Sequence, residues 1–281
     1  MSSDKLIVPG ASGAAESAEQ KLLLDVRGLK VTFRSNNKEA VKGIDLTMAP
    51  GERLGLVGES GSGKTVTAMA ISGLIERYNV DMEGEILFNG RDLRSATREE
   101  IRRIQGREIG VVFQEPMTSL NPLMKIGYQV EETLRIHTRA SAEKRRALAL
   151  EALTKVGLPD PEVTYDKYPH QLSGGQRQRA MIASAAVIKP ALLICDEPTT
   201  ALDVSVQAQI LKLLRSISEE YDVGILLISH DLRVIRELCE RVAVMYRGKI
   251  VEQGLTEQVF NDPQDEYTKQ LISAIPQRKK R

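Results

Sequence analysis

The chain has 281 residues, of which 42% are hydrophobic and 27% charged, and its net charge is +1. That balance suits one α/β domain with a sizeable subdomain, and the near-zero charge gives no support to a nucleic-acid surface. Two cysteines, Cys195 and Cys239, are too few for a disulfide framework or a cysteine-rich metal site, and no stretch reaches the roughly 18 apolar residues of a membrane span.

Residues 1–21 are rich in Ala, Ser, Gly and Glu and lack the basic start and apolar run of a signal peptide. They are expected to be a disordered tail on a cytosolic protein. Structure is expected to begin near Leu22. Strands are predicted at 22–26, 29–33 and 44–48, with a turn at Pro50-Gly51-Glu52. Arg53-Leu54-Gly55-Leu56-Val57 has the apolar character of a buried strand, and it runs into Gly58-Glu59-Ser60-Gly61-Ser62-Gly63-Lys64-Thr65. This is a phosphate-binding loop. Its glycines let the backbone approach a triphosphate, and the helix starting near Lys64 adds the positive end of its dipole. Lys64 can reach the β- and γ-phosphates and the Thr65 hydroxyl can ligate Mg²⁺. A chance Gly-Ser loop would lack the preceding strand and the helical run that follows.

Further strands are predicted at 84–90 and 109–113, with a short charged helix at 97–103 between them. From about Ile126 to Val156, Ala, Leu, Glu and Arg dominate and the pattern is helical. Leu172-Ser173-Gly174-Gly175-Gln176 follows, and Ser173-Gly174-Gly175 is expected to open a helix whose free N–H groups and dipole suit an anion. Arg177 and Arg179 on that helix are either solvated charges or structural contacts. Ala191–Cys195 is an apolar strand ending in Asp196 and Glu197, and Gly224–Ser229 is another, ending at His230. Taken alone, two acids at a strand end are a solvated turn and a glutamine after a strand is nothing. Cys195 reads as core packing. His137 reads as a surface helix residue, and His170 merely sits near the LSGGQ segment. Residues 277–281 form a basic tail, solvated or, as a lesser alternative, touching anionic lipid.

A phosphate loop followed by Leu172–Gln176 resembles the ATP-binding cassette of ABC proteins, over about residues 22–276. The resemblance implies a P-loop NTPase core (RecA-like), an N-terminal antiparallel β subdomain and an inserted α-helical subdomain at about 115–185. It makes Asp196 a Mg²⁺ ligand through water and Glu197 the residue that orients or deprotonates the attacking water. Gln114 becomes the sensor of Mg²⁺ and γ-phosphate, and His230 the switch histidine. Ala201-Leu202-Asp203 becomes the loop that meets a partner copy. Ser173, Gly174, Gly175 and Gln176 would contact the nucleotide held by a second cassette, so that each active site is shared by a homo- or heterodimer. Phe33 is either the aromatic platform under adenine or a core strand residue.

Residues 114–122, Tyr168-Pro169-His170-Gln171, residues 198–207 and residues 267–276 are similar to the oligopeptide, dipeptide and nickel importer ATPases. This implies an ATPase at the cytoplasmic membrane face, working with transmembrane permease subunits and indirectly with a solute-binding protein, and no nucleic acid. Short peptides are the leading solute, nickel or another small solute the alternative. One half of a fused double cassette, a soluble ABC protein and a P-loop kinase are further readings. Several members carry a C-terminal cysteine cluster; no cysteine follows Cys239, so no iron–sulfur centre is expected. Residues 114–122 are expected to dock the permease, against the plainer reading of Asn121-Pro122 as a turn.

Overall fold

A computed structural model describes residues 22–200 and 202–275. The expected tails at 1–21 and 277–281, together with Ala201 and Pro276, lie outside the described residues. The strands are β1 (Leu24–Phe33), β2 (Lys38–Met48), β3 (Arg53–Val57), β4 (Val80–Phe88), β5 (Arg91–Asp92), β6 (Ile109–Val112), β7 (Leu192–Asp196), β8 (Gly224–Ser229), β9 (Arg241–Tyr246) and β10 (Lys249–Leu255). They form two sheets. An antiparallel one runs β2-β1-β4-β5, and a larger one runs β10-β9-β3-β8-β7-β6, parallel except for β10.

The alternation of side chains along each strand decides how the layers stack. Leu192 and Ile194 of β7, and Leu226 and Ile228 of β8, join a core shared with Val26, Val31 and Ile86 of the antiparallel sheet. Leu193 and Cys195, and Ile225 and Leu227, face a second core built with helices such as Val204–Tyr221. Covered on both faces, these strands must be apolar at every position, as parallel strands are. Burial pushes the Cys195 and Cys239 thiols well above their ordinary range, which fits packing rather than chemistry. No helix among the described residues is long and apolar enough to cross a membrane.

Between β6 and β7 the chain carries helices: Pro116–Ser119, Ile126–Val130, Glu132–His137, Ala142–Lys155, Pro161–Tyr165 and Gly174–Ala186. The helical run expected from Ile126 to Val156 is thus three helices. It breaks where Thr138 turns its hydroxyl back to the Leu134 carbonyl at 2.6 Å and Ser141 caps the next helix by accepting the Lys144 N–H. The two strands expected at 22–26 and 29–33 are one strand, with a register shift between Val26 and Leu29 and Gly28 at φ 55°. The strand expected at 84–90 starts earlier, at Val80, because it pairs with β1 along its whole length. The helix expected at 97–103 is Arg98–Ile104, closed by a capping box between Thr97 and Glu100.

Gly127 lies so close to Tyr165 that a Cβ there would stand 2.1 Å from the ring. The ring cannot retreat freely, because its hydroxyl bonds Glu131, a buried carboxylate also held by Arg135. Gly127→Ala is therefore expected to destabilise the protein by about 1–3 kcal/mol, the usual range for overpacking. Gly174→Ala, whose Cβ meets open space, should not. Urea unfolding midpoints of the two variants check this.

Candidate active site

The strand register brings four chain reversals to one edge. Val57 pairs with Ser229, Asp196 with Ile228 and Val112 with Cys195. The loops that follow Val57, Val112, Asp196 and Ser229 therefore open together at the carboxyl ends of the parallel strands, where α/β sheets hold ligands. There they line a cleft of about 710 Å³, whose walls include Phe33, Gly58, Glu59, Ser60, Gly61, Gly63, Lys64, Thr65, Gln114, Glu197 and His230. Ser62 and Asp196 lie buried beneath it.

The loop from Gly58 to Thr65 wraps around the Lys64 ammonium, which donates to the Gly58 and Glu59 carbonyls at 2.7 and 2.8 Å. It is pressed on the β9–β10 hairpin: the Gly248 N–H donates to the Ser62 carbonyl at 2.9 Å. Gly63 takes φ 110° just before the helix Lys64–Ile71, a conformation that L side chains rarely adopt. Burial lowers the Lys64 pKa, against the opposing pull of Glu197, Asp196 and Glu59.

Glu197 is held from three sides. Gln114 Nε2 donates to its Oε2 at 3.2 Å, the Thr200 hydroxyl donates to the same oxygen at 2.9 Å, and His230 Nδ1 lies 3.1 Å from Oε1. The backbone is also fixed: Glu197 sits at φ 46°, left-handed for a residue with a Cβ, and its N–H donates to the Ile228 carbonyl at 2.9 Å. That conformation costs on the order of 1–2 kcal/mol and aims the carboxylate into the cleft. Three residues predicted far apart in sequence are thus brought together. Thr200 is not among the candidate site residues read from the sequence, although it lies in the importer-like segment 198–207, three residues after Glu197.

Ser173 caps the helix Gly174–Ala186 by accepting the Gln176 N–H, and Gln176 Oε1 in return accepts the Ser173 N–H at 2.9 Å. Ser173 and Gly174 are exposed, while none of these four residues lines the cleft of the same chain. Gly175 is close-packed, since a Cβ there would stand 2.9 Å from Val206 of the helix that Asp203 caps. Arg179 makes structural contacts, donating to the Val156 carbonyl and to Gln209, and Arg177 reaches the Pro169 carbonyl. Phe33 is half-buried; it packs on the core between the sheets and also lines the cleft beside Lys38 and Ala40. His137 ends the helix Glu132–His137, and His170 stacks on Tyr168 with 5.7 Å between centroids.

Asp196 is buried, and its Oδ1 has no hydrogen-bond partner among the described residues. Burial raises its pKa, hydrogen bonding from Thr65 opposes that, Glu197 adds to the rise and Lys64 opposes it. With a folded pKa above the unfolded one, the native state pays for this charge at neutral pH. The penalty disappears as the pH falls below the unfolded value. Asp196→Asn is therefore expected to stabilise the nucleotide-free protein at pH 7–8 and to lose that advantage progressively as the medium is acidified. Denaturant midpoints of both proteins measured across pH 3–8 check the sign.

A family model described as ABC transporter matches residues 41–200. Among curated proteins, the chain is 46% identical over 257 residues to the oligopeptide transport ATP-binding protein OppD of Bacillus subtilis (strain 168), covering 90% of this chain and 72% of that protein. It is 44% identical over 271 residues to the glutathione import ATP-binding protein GsiA of Salmonella choleraesuis (strain SC-B67), covering 94% of this chain and 44% of that protein. Among solved structures it is similar to the dimeric ATP-binding cassette MJ0796 in a post-hydrolysis state bound to ADP and Pi. The TM-score is 0.75 at 30% identity, covering 83% of this chain and 98% of that one. The chain therefore belongs to the ABC transporter family, as an ATP-hydrolysing, ATP-binding cassette similar to proteins named for oligopeptide transport and peptide import.

Proposed function

We propose that the chain is the ATPase subunit of an importer for short peptides, bound to the cytoplasmic face of the cell membrane through permease subunits. The observation that carries this reading is the convergence of Gln114, Thr200 and His230 on Glu197 at the mouth of the phosphate loop, in a chain similar along most of its length to peptide-import ATP-binding proteins. In this reading residues Gly58–Thr65 cradle the triphosphate through backbone N–H groups, and Lys64 exchanges the loop carbonyls for phosphate oxygens. Phe33 stacks on the base. Glu197 orients the attacking water and takes its proton. Gln114 and His230 sense the γ-phosphate.

Mg²⁺ fits the residues below the cleft. An unpartnered, buried carboxylate oxygen on Asp196 beside the Thr65 hydroxyl is a hard, all-oxygen donor set. Asp196 and Thr65, with the Gln114 carboxamide, would hold the ion. Bound there, it would neutralise phosphate charge.

Ser173 and Gly174 stand exposed at the start of a helix of 13 residues and lie outside their own chain's cleft. They are suited to the γ-phosphate held by a second cassette, either a copy of this chain or a homologous one. Phe113 lines a groove of about 250 Å³ with Leu74, Ser119 and Leu120, and Met117 and Leu123 of the same segment are exposed. An apolar surface of this kind marks an interaction site, and it supports docking of a permease along residues 114–122. The permease and a solute-binding protein would select the peptide.

Glu197→Gln is expected to bind ATP as the wild type does and to hydrolyse it at least about 100-fold more slowly, the scale of a lost general base. ATP should then hold two cassettes together, visible as a dimer by size-exclusion chromatography. Wild-type turnover would remove Glu197 from this role. Permease docking has its own test. A cysteine placed at Ser119 should cross-link to copurified permease, and links formed only from the opposite face would relocate the interface.

A further inference from the structure

The segment Tyr267–Ile275 carries no part of the ATPase chemistry above, yet it touches the phosphate loop. The Tyr267 hydroxyl accepts the Glu59 N–H at 3.0 Å across 208 residues of sequence. Leu271, one turn further along the helix Glu266–Ser273, lines the cleft.

The contact falls on one particular peptide group. The bond joining Gly58 to Glu59 presents its C=O to Lys64 Nζ at 2.7 Å and its N–H to Tyr267 at 3.0 Å. In a trans peptide these two groups point in opposite directions, so the two contacts together fix the plane's orientation. Gly58 leaves that plane free to turn from its own side. Once Lys64 moves to phosphate oxygens, Tyr267 is, among the described residues, the side chain that still bonds this peptide. The hydroxyl is well placed for the task. Its ring stacks on Tyr246 with centroids 4.1 Å apart. Asp265 caps the helix by accepting the Tyr267 N–H at 2.9 Å, and Glu252 of β10 accepts the Gln264 and Asp265 N–H groups at 2.8 and 3.1 Å. A group locked by stacking, capping and a strand contact holds a functional loop more firmly than a side chain on a loop would.

We propose that Tyr267 is a positioning residue of the nucleotide site, its hydroxyl fixing the Gly58–Glu59 peptide so that the phosphate loop is preorganised for the triphosphate. The inference rests on the cleft being the ATP site. The peptide lies at the start of the loop and the contact does not involve the γ-phosphate sensors, so ATP and ADP should be affected alike.

Tyr267→Phe keeps the ring on Tyr246 and removes only the acceptor. Calorimetric titration with MgATP and MgADP is expected to show both Kd values raised about 3- to 10-fold, the scale of one hydrogen bond. The steady-state defect should fall on KM rather than kcat, and the Glu59 amide should exchange faster with deuterium. Tyr246→Phe, which keeps the stack and has no contact with Glu59, should bind both nucleotides as the wild type does. Wild-type affinity in Tyr267→Phe overturns the proposal. So does an equal loss in both variants together with a lowered Tm, which would assign the effect to packing. Wild-type protein that takes up no ATP would overturn the reading of the cleft itself, a result that the same titrations separate from the other two.

Discussion

The close approach of the phosphate loop to the β9–β10 hairpin is the constraint on which the site depends. A Cβ at Gly58 would stand 2.1 Å from the Met245 carbonyl oxygen, and one at Gly63 would stand 2.6 Å from the Ala40 carbonyl oxygen. Both obstacles are backbone, which cannot rotate away as a side chain can. The loop is therefore moulded against the ends of β9 and β2 before any ligand arrives. The Gly248 N–H, donated to Ser62, and the Lys42 N–H, donated to the Gly248 carbonyl at 2.8 Å, tie the loop, the hairpin and the antiparallel sheet together. A flexible glycine loop would lose entropy on gathering its N–H groups around a phosphate; packing has already fixed this one.

Below that loop the site stores electrostatic tension. Lys64, Asp196 and Glu197 are close enough to influence one another, and burial works against the charged forms of Lys64 and Asp196. Lys64 is accommodated by loop carbonyls, while Asp196 keeps an oxygen without a partner. A buried polar atom left without a partner costs on the order of 1–3 kcal/mol. In the proposed function a hard cation and a polyanion relieve both strains at once, since the cation meets the free carboxylate oxygen and the phosphates meet the ammonium. The stability given up in the free protein becomes affinity for the complete ligand.

The chemistry that was legible in the sequence is the chemistry carried by contiguous residues. Gly58–Thr65, Leu172–Gln176, and the acids at the end of β7 each occupy one short stretch of sequence, so a resemblance to a family can display them. The parallel strands β3, β6, β7 and β8 were legible for a related reason, as burial on both faces demands apolar runs. What was hidden is what folding brings together. The Tyr267–Glu59 contact joins the helix Glu266–Ser273 to the phosphate loop, and no local pattern marks it. Thr200 is one of two adjacent threonines in its turn, and the fold, with a left-handed backbone at Glu197, brings its oxygen to the carboxylate. The helical block reads as one run because its composition is uniform. Ser141 and Thr138 divide it through single side-chain hydrogen bonds, a signal too weak to stand out among ordinary serines and threonines.

The attachment of the helical block explains why Gln114 stands where it does. The block leaves the sheet after Val112 of β6 and returns through the helix Gly174–Ala186 into β7, the strand paired with β6. β6 is the edge strand, so the block hangs from the sheet's margin rather than its centre. Gln114 occupies the first turn of chain beyond that margin, and its carboxamide reaches across to Glu197 at the end of the neighbouring strand. A movement of the block that carried Gln114 with it would alter that 3.2 Å contact, and a ligand that draws the Gln114 carboxamide elsewhere would bias the block in return. Such reciprocity is required of any coupling between two sites. In the proposed function it links the γ-phosphate to the apolar groove beside residues 114–122, with the exposed Ser173 helix start carried by the same moving block. Closure on a second cassette and displacement of a docked partner are then two consequences of one motion.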